Sequence, residues 1–219
     1  MNTIFYNKEV NYLTKSNISL QHTNNCEKDN ELLNNELIRN NNPLNGWTSE
    51  IITYDNKTDN KPIIAKKYYN KKIDDNILIE NFNNEVNSLI IMKGEQRIPK
   101  IYGINTNELS ITMEYCGVPL TEENCPKNWK QQLIKIYKVL QKYNIYHNDV
   151  HIANLCVKNK IIYLIDFGLA KQHIEWQYQN FSMEIINNAT NILEVFEKIR
   201  NNGIEIRKCM YCDDGMKNI

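Results

Sequence analysis

Three residues close together in the chain have types and spacing that could do chemistry: Asp149, Asn154 and Asp166. Carboxylate and amide oxygens suit a hard divalent cation such as magnesium, which takes oxygen ligands. Between them, Leu155-Cys156-Val157 reads as a short strand, Lys158-Asn159-Lys160 as a polar, solvated turn, and Ile161 to Ile165 as a second strand. Such a hairpin folds the chain back, so Asn154 and Asp166 should lie at the same end of it. Asp149 then sits on the loop leading in.

The elements that must position this edge lie on both sides of it. The spacing of Trp129, Leu133, Ile136, Tyr137, Leu140 and Tyr143 predicts a helix over 129–143 just before the hairpin. Phe181 to Arg200 predicts another after it, with Ser182 as N-cap and Gly203 as stop. The segment 171–180 between them reads as a loop. Upstream, Trp47–Tyr54 and Pro62–Tyr69 read as an antiparallel pair across a polar turn. A helix is expected over Asn76–Met92, ended by Gly94, followed by strands at Ile98–Ile104 and Leu109–Tyr115. Cys116 to Pro126, rich in Gly and Pro, reads as a connector. Glu31–Arg39 is compatible with a short helix inside an otherwise irregular start.

Composition narrows the function classes. Lys plus Arg balance Asp plus Glu at 26 each, so no whole-chain field argues for a nucleic acid or membrane-surface partner. No apolar run reaches the ~20 residues a membrane-spanning helix needs, and no secretory leader is visible. The six cysteines are scattered, which favours reduced thiols in an intracellular, cytoplasmic setting. Cys209-x-x-Cys212 alone lacks the four ligands of a structural zinc site and reads as two tail thiols. The abundant Asn, Lys and Ile fit an AT-rich genome, which lowers the weight given to the Asn clusters.

His147-Asn148-Asp149 followed by Asn154, with Asp166-Phe167-Gly168 after a linking hairpin, resembles the catalytic loop and metal-binding triplet of the protein-kinase-like superfamily. The resemblance runs from about Gly46 to Ala170. It implies an α+β, bilobal protein-kinase-like fold with a small antiparallel-sheet N-lobe (43–116), a truncated, mainly helical C-lobe (117–219) and an N-terminal extension (1–42). It implies that Asp149 accepts or orients the proton of an attacking hydroxyl, and that Asn154 and Asp166 hold magnesium on the phosphates of ATP. Glu85 matches the helix glutamate that holds a phosphate lysine. That lysine is Lys67, which fits the Ala65-x-Lys67 pattern, or Lys66. Ala65 and Ile51 would flank the nucleotide, Met113 would line its pocket, and the backbone at Glu114 and Cys116 would meet the adenine edge.

Departures from the family pattern matter as well. Gly46 and Ser49 stand where two of three glycines of the phosphate-covering loop would be. Asn148 replaces the arginine that answers a phosphorylated loop, and the peptide-docking platform after Ala170 is minimal. His147 takes the family's structural place beneath Phe167, while His151 could touch substrate or phosphate. The expected function is an ATP- and magnesium-dependent kinase of compact atypical or viral type, acting on protein Ser or Thr in a cytoplasm (that of the host if viral). A small-molecule kinase and a kinase-like binding module without catalysis are the alternatives.

Overall fold

A computed structural model describes residues 37–39, 44–45, 49–57, 62–69, 74–173 and 182–206. Gly46, Trp176, Tyr178, Cys209, Cys212 and the first 36 residues lie outside the described residues. The chain divides into two compact units: Met1–Lys72 with Tyr102–Met113, and Ile73–Ile101 with Glu114–Ile219.

The first unit is built on a six-stranded sheet. Its strands are β1 (Leu37–Arg39), β2 (Leu44–Asn45), β3 (Glu50–Asn56), β4 (Pro62–Tyr68), β5 (Ile101–Asn105) and β6 (Ser110–Glu114). Their order is β1-β3-β4-β6-β5, and β2 also pairs with β3. β1 corrects the short helix expected over 31–39. Leu37, Ile38 and Arg39 pair antiparallel with Asn56, Asp55 and Tyr54, and ladder bonding to an existing strand outweighs weak helical propensity. β4 starts at Pro62, where a missing N–H donor is tolerated. Its register against β3 sets Ile51 opposite Lys67 and Thr53 opposite Ala65. Side chains alternate along a strand, so Ile51, Ala65 and Lys67 share one face and Ile52, Ile64 and Lys66 the other.

The second unit opens with helix α1 (Asp75–Ile91), capped by the Asp74 carboxylate accepting from Asn76 N at 2.8 Å. Leu78, Phe82, Val86 and Leu89 form its buried stripe. Gly94 adopts φ +91° just past its end. Helix α2 (Trp129–Lys142) buries Leu133, Ile136, Tyr137 and Leu140. The remaining strands are short: β7 (Val118–Pro119), β8 (Ile145–Tyr146), β9 (Leu155–Lys158), β10 (Ile161–Leu164) and β11 (Lys171–Gln172). They form one sheet ordered β10-β9-β7 and a β8–β11 pair, so the expected loop over 171–180 begins as a strand.

Two helices follow where one was expected: α3 (Met183–Asn188) and α4 (Ile192–Ile206). Ser182 caps α3 as predicted, accepting from Ile185 N at 3.3 Å. The break at Ala189 arises because Asn191 and Glu194 form their own N-terminal box. Asn191 Oδ1 accepts from Glu194 N at 2.9 Å, and the Glu194 carboxylate accepts from Thr190 N at 2.6 Å. Gly203 does not stop α4, which runs on to Ile206. The fold is kinase-like α+β, with an antiparallel β3–β4 pair in the N-terminal sheet and a mainly helical second unit. No helix among the described residues is long and apolar enough to cross a membrane.

Candidate active site

The hairpin β9–β10 is antiparallel from Leu155↔Leu164 to Lys158↔Ile161. Its turn has two residues rather than three. Asn159 and Lys160 take φ +52° and +62°, the left-handed pair of a tight hairpin turn, and Lys158 belongs to the strand. At the open end Ile165 N donates to Asn154 O at 2.9 Å, so the two predicted metal ligands do sit at one end of the hairpin.

Gln132, buried on α2, docks the helix to this hairpin. Its Nε2 donates to Lys160 O at 2.9 Å and to Asn128 Oδ1 at 2.8 Å. Its Oε1 accepts from Ile162 N at 2.9 Å and from the Arg97 guanidinium. A buried amide with all of these partners fixes register as well as position.

The catalytic-loop residues form one bonded cluster. Asn154 ends a 3₁₀ turn (Ile152–Asn154), and its Nδ2 donates to Asp149 O at 2.8 Å and to Asp149 Oδ2 at 2.9 Å. Since the amide nitrogen is committed to Asp149, the amide oxygen is the Asn154 atom left to face a cation. Asp149 itself stays part-exposed, with His151 Nε2 3.4 Å from its Oδ2. Asp166 holds φ +63° and accepts from Gly168 N at 3.5 Å. A left-handed aspartate opening the Asp166-Phe167-Gly168 triplet is strain of the kind found at functional sites.

His147 lies beneath this cluster. Its Nε2–H donates to Ile165 O at 2.9 Å and its Nδ1 accepts from Asp149 N at 3.3 Å. Its ring meets Phe167 edge-on at 4.7 Å. Burial holds its pKa below the ordinary value, so the ring is neutral and scaffolding. The segment after the triplet is tied down by neutral and ionic contacts. Asn84 Nδ2 on α1 donates to Gly168 O at 3.0 Å, and Asn148 Nδ2 to Leu169 O at 3.0 Å. Lys171 pairs with Glu80 of α1. Asn148, where regulated kinases carry arginine, thus makes a direct bond to the backbone.

The profile of the ABC1 atypical kinase-like domain matches residues 78–196, more than half of the chain. The chain belongs to this family. A serine/threonine-protein kinase (mph1) of Schizosaccharomyces pombe is 30% identical over 129 residues, 52% of this chain and 19% of that protein. A protein of Acanthamoeba polyphaga mimivirus, named as a putative serine/threonine-protein kinase, is 32% identical over 133 residues, 55% of this chain and 23% of that one. A protein of Methanosphaera stadtmanae, named as a bifunctional tRNA threonylcarbamoyladenosine biosynthesis protein, is 31% identical over 114 residues, 49% and 21%. The chain thus spans about a fifth of the length of each of these relatives.

In this kinase-like chain the two candidate lysines are used differently. Lys66 bonds Glu108 within the first unit at 3.2 Å and lies over the Tyr68 ring. Lys67 is buried, at 4% exposure, with its Nζ 4.9 Å from the Tyr69 ring centre. Glu85 is buried on α1 in the second unit, at 1% exposure. Met113 is buried at the end of β6. Glu114 N donates to Lys100 O at 2.7 Å, and the Cys116 thiol donates to Glu114 O at 3.5 Å. Burial, then Glu114 and Cys156, push the Cys116 thiol well up, so it remains protonated.

Among the described residues no group of three or more His, Cys, Asp or Glu side chains is placed to hold a metal ion. The oxygen donors of Asn154 and Asp166 are of the type magnesium takes, and that ion would need only one or two protein ligands beside phosphate and water. Sequence reasoning missed the contacts made by Gln132, Asn84 and Glu80. A glutamine on an otherwise apolar helix face is the one signal that was there to find. Asn84 stood among asparagines discounted on composition.

Proposed function

We propose that the chain is an ATP- and magnesium-dependent phosphotransferase whose acceptor is a hydroxyl on protein Ser or Thr. The observation that carries this is the Asp149–Asn154 bond pair, which turns the amide oxygen of Asn154, with the Asp166 carboxylate, toward the role of cation ligand. The names of two of the relatives support the acceptor class.

In this reading Asn154 and Asp166 hold magnesium. The ion, when bound, neutralises phosphate charge so that a nucleophile can approach in line. Asp149 is part-exposed and orients the acceptor hydroxyl, taking its proton as the new bond to the γ-phosphorus forms and the bridging oxygen leaves with ADP. Its geometry is held from below by its own N–H on His147 and from the side by Asn154. Lys67 is our assignment for the phosphate lysine, because it is buried and shares its strand face with Ala65 and Ile51. Glu85, buried on α1, is our assignment for the family's helix glutamate. Ile51 and Ala65, on the Lys67 face, flank the nucleotide. Met113 lines the base, and Glu114 O and Cys116 N–H meet its polar edge.

Asp166→Ala should abolish ATP turnover and autophosphorylation in a folded chain. Turnover surviving that change at more than about a hundredth of wild type would refute the metal assignment. The His151–Asp149 contact favours a second reading, a small-molecule acceptor oriented by that pair. Turnover with metabolite hydroxyls but none with Ser/Thr peptides would select it.

A further inference from the structure

The connector Glu114–Leu120 is stitched along β9. Leu120 N donates to Leu155 O at 2.9 Å, Pro119 pairs with Cys156 and Val118 with Val157. Gly117, at φ +98°, lies so close that a Cβ there would sit 2.1 Å from Val157 O. The run is continued by a side chain. Lys158 Nζ donates to Tyr115 O at 2.9 Å and lies 3.8 Å from the Glu114 carboxylate. Lys158 is thus more than a solvated turn residue, and its side chain is less than one-third exposed.

The peptide bond gives this contact a consequence. Tyr115 C=O and Cys116 N–H belong to one planar trans unit and point in opposite directions. A cation that holds the Tyr115 carbonyl toward β9 therefore aims the Cys116 N–H away from it. That N–H is the donor assigned above to the adenine edge. We propose that Lys158 is a positioning residue for base recognition: by clamping the Tyr115 carbonyl it presets the Cys116 N–H, so base-bearing ligands bind to an already oriented donor. The inference rests on the nucleotide reading given under Proposed function.

Its physical basis is preorganisation. A charge-assisted hydrogen bond to a carbonyl removes the peptide's freedom to rotate before ligand arrives, and this lowers the entropy lost on binding. The effect should appear only for ligands that use the donor. Lys158 lies at the far end of β9 from Asn154, so the phosphate end should not sense its loss.

The test uses the full chain with magnesium and two probes, ATP and inorganic tripolyphosphate, titrated calorimetrically. Lys158→Met should weaken ATP binding about tenfold, the scale of one lost charged hydrogen bond, and change tripolyphosphate binding by less than about twofold. Lys158→Arg, which keeps a donor cation, should recover most of the ATP affinity. Equal ATP affinity in wild type and Lys158→Met would overturn the proposal. So would a parallel loss for tripolyphosphate, which marks a general loss of structure. A wild-type chain that binds tripolyphosphate but not ATP removes the base site. One that binds neither ligand refutes the nucleotide reading itself, and this inference with it.

Discussion

Replacing Gly117 with alanine should be far more damaging than the same change at Gly94, and the difference measures how tightly the connector is held. Both glycines take positive φ, +98° and +91°. An L-residue forced there loses about 1–2 kcal/mol at either site. Around Gly94 nothing lies within 4 Å of an added Cβ, so strain is the whole effect. At Gly117 the Cβ would meet Val157 O at 2.1 Å, Val157 C at 2.5 Å and Lys158 N at 2.8 Å, all backbone atoms of β9. Relief requires β7 and β9 to part, which strains or breaks the Val118–Val157 pairing and the Lys158 bond to Tyr115. Each bond left unmade costs about 1–3 kcal/mol, so Gly117→Ala should lose about 3–8 kcal/mol in all. Urea unfolding with unchanged m-values would report this directly. A Gly117→Ala loss no larger than that of Gly94→Ala would refute the close approach, and with it the placement of Cys116 argued from the same strand.

His147 predicts a pH dependence. Burial depresses its folded pKa, so the unfolded chain binds the extra proton. Stability is therefore full above the ordinary histidine value of about 6.5 and falls as pH drops below it, by up to about 1.4 kcal/mol per pH unit. His147→Gln should flatten that slope in urea titrations. His173, depressed by burial and Lys171, adds its own part in both proteins, and an unchanged slope would assign the whole effect elsewhere. The ties between α1 and the triplet make a further pair of expectations. Asn84→Ala should lose about 1 kcal/mol of stability and reduce ATP turnover as well, because Gly168 O loses its donor beside Asp166. Glu80→Ala should lose less than about 1 kcal/mol, since that pair is about half exposed. Turnover unaffected in Asn84→Ala would show that the Gly168 contact does not orient the triplet.

The parts of this fold legible in the sequence were those written in period and turn chemistry. Helix α2 and hairpin β9–β10 follow from apolar spacing and a polar tip, and the motif order pointed to the kinase-like family. The failures have local physical reasons. Phe181 to Arg200 carries one continuous apolar face, so the break at Ala189 came from capping chemistry at Thr190, Asn191 and Glu194 that periodicity does not register. Leu37–Arg39 became strand because a partner strand was available, a non-local fact. Lys158 and Asn84 act on backbone carbonyls more than 40 residues away in sequence, and no pattern in one strand or one helix announces such contacts.

These long-range contacts bear on regulation as much as on fold. Gly168, Leu169 and Lys171 are each held by a side chain already in place: Asn84, Asn148 and Glu80. In a kinase that switches by phosphorylation, an arginine at the Asn148 position waits for an added phosphate to order this segment. A short neutral amide bonded to the Leu169 carbonyl offers a phosphate no comparable cation. The order of Gly168–Lys171 therefore comes from side-chain contacts made within the second unit itself.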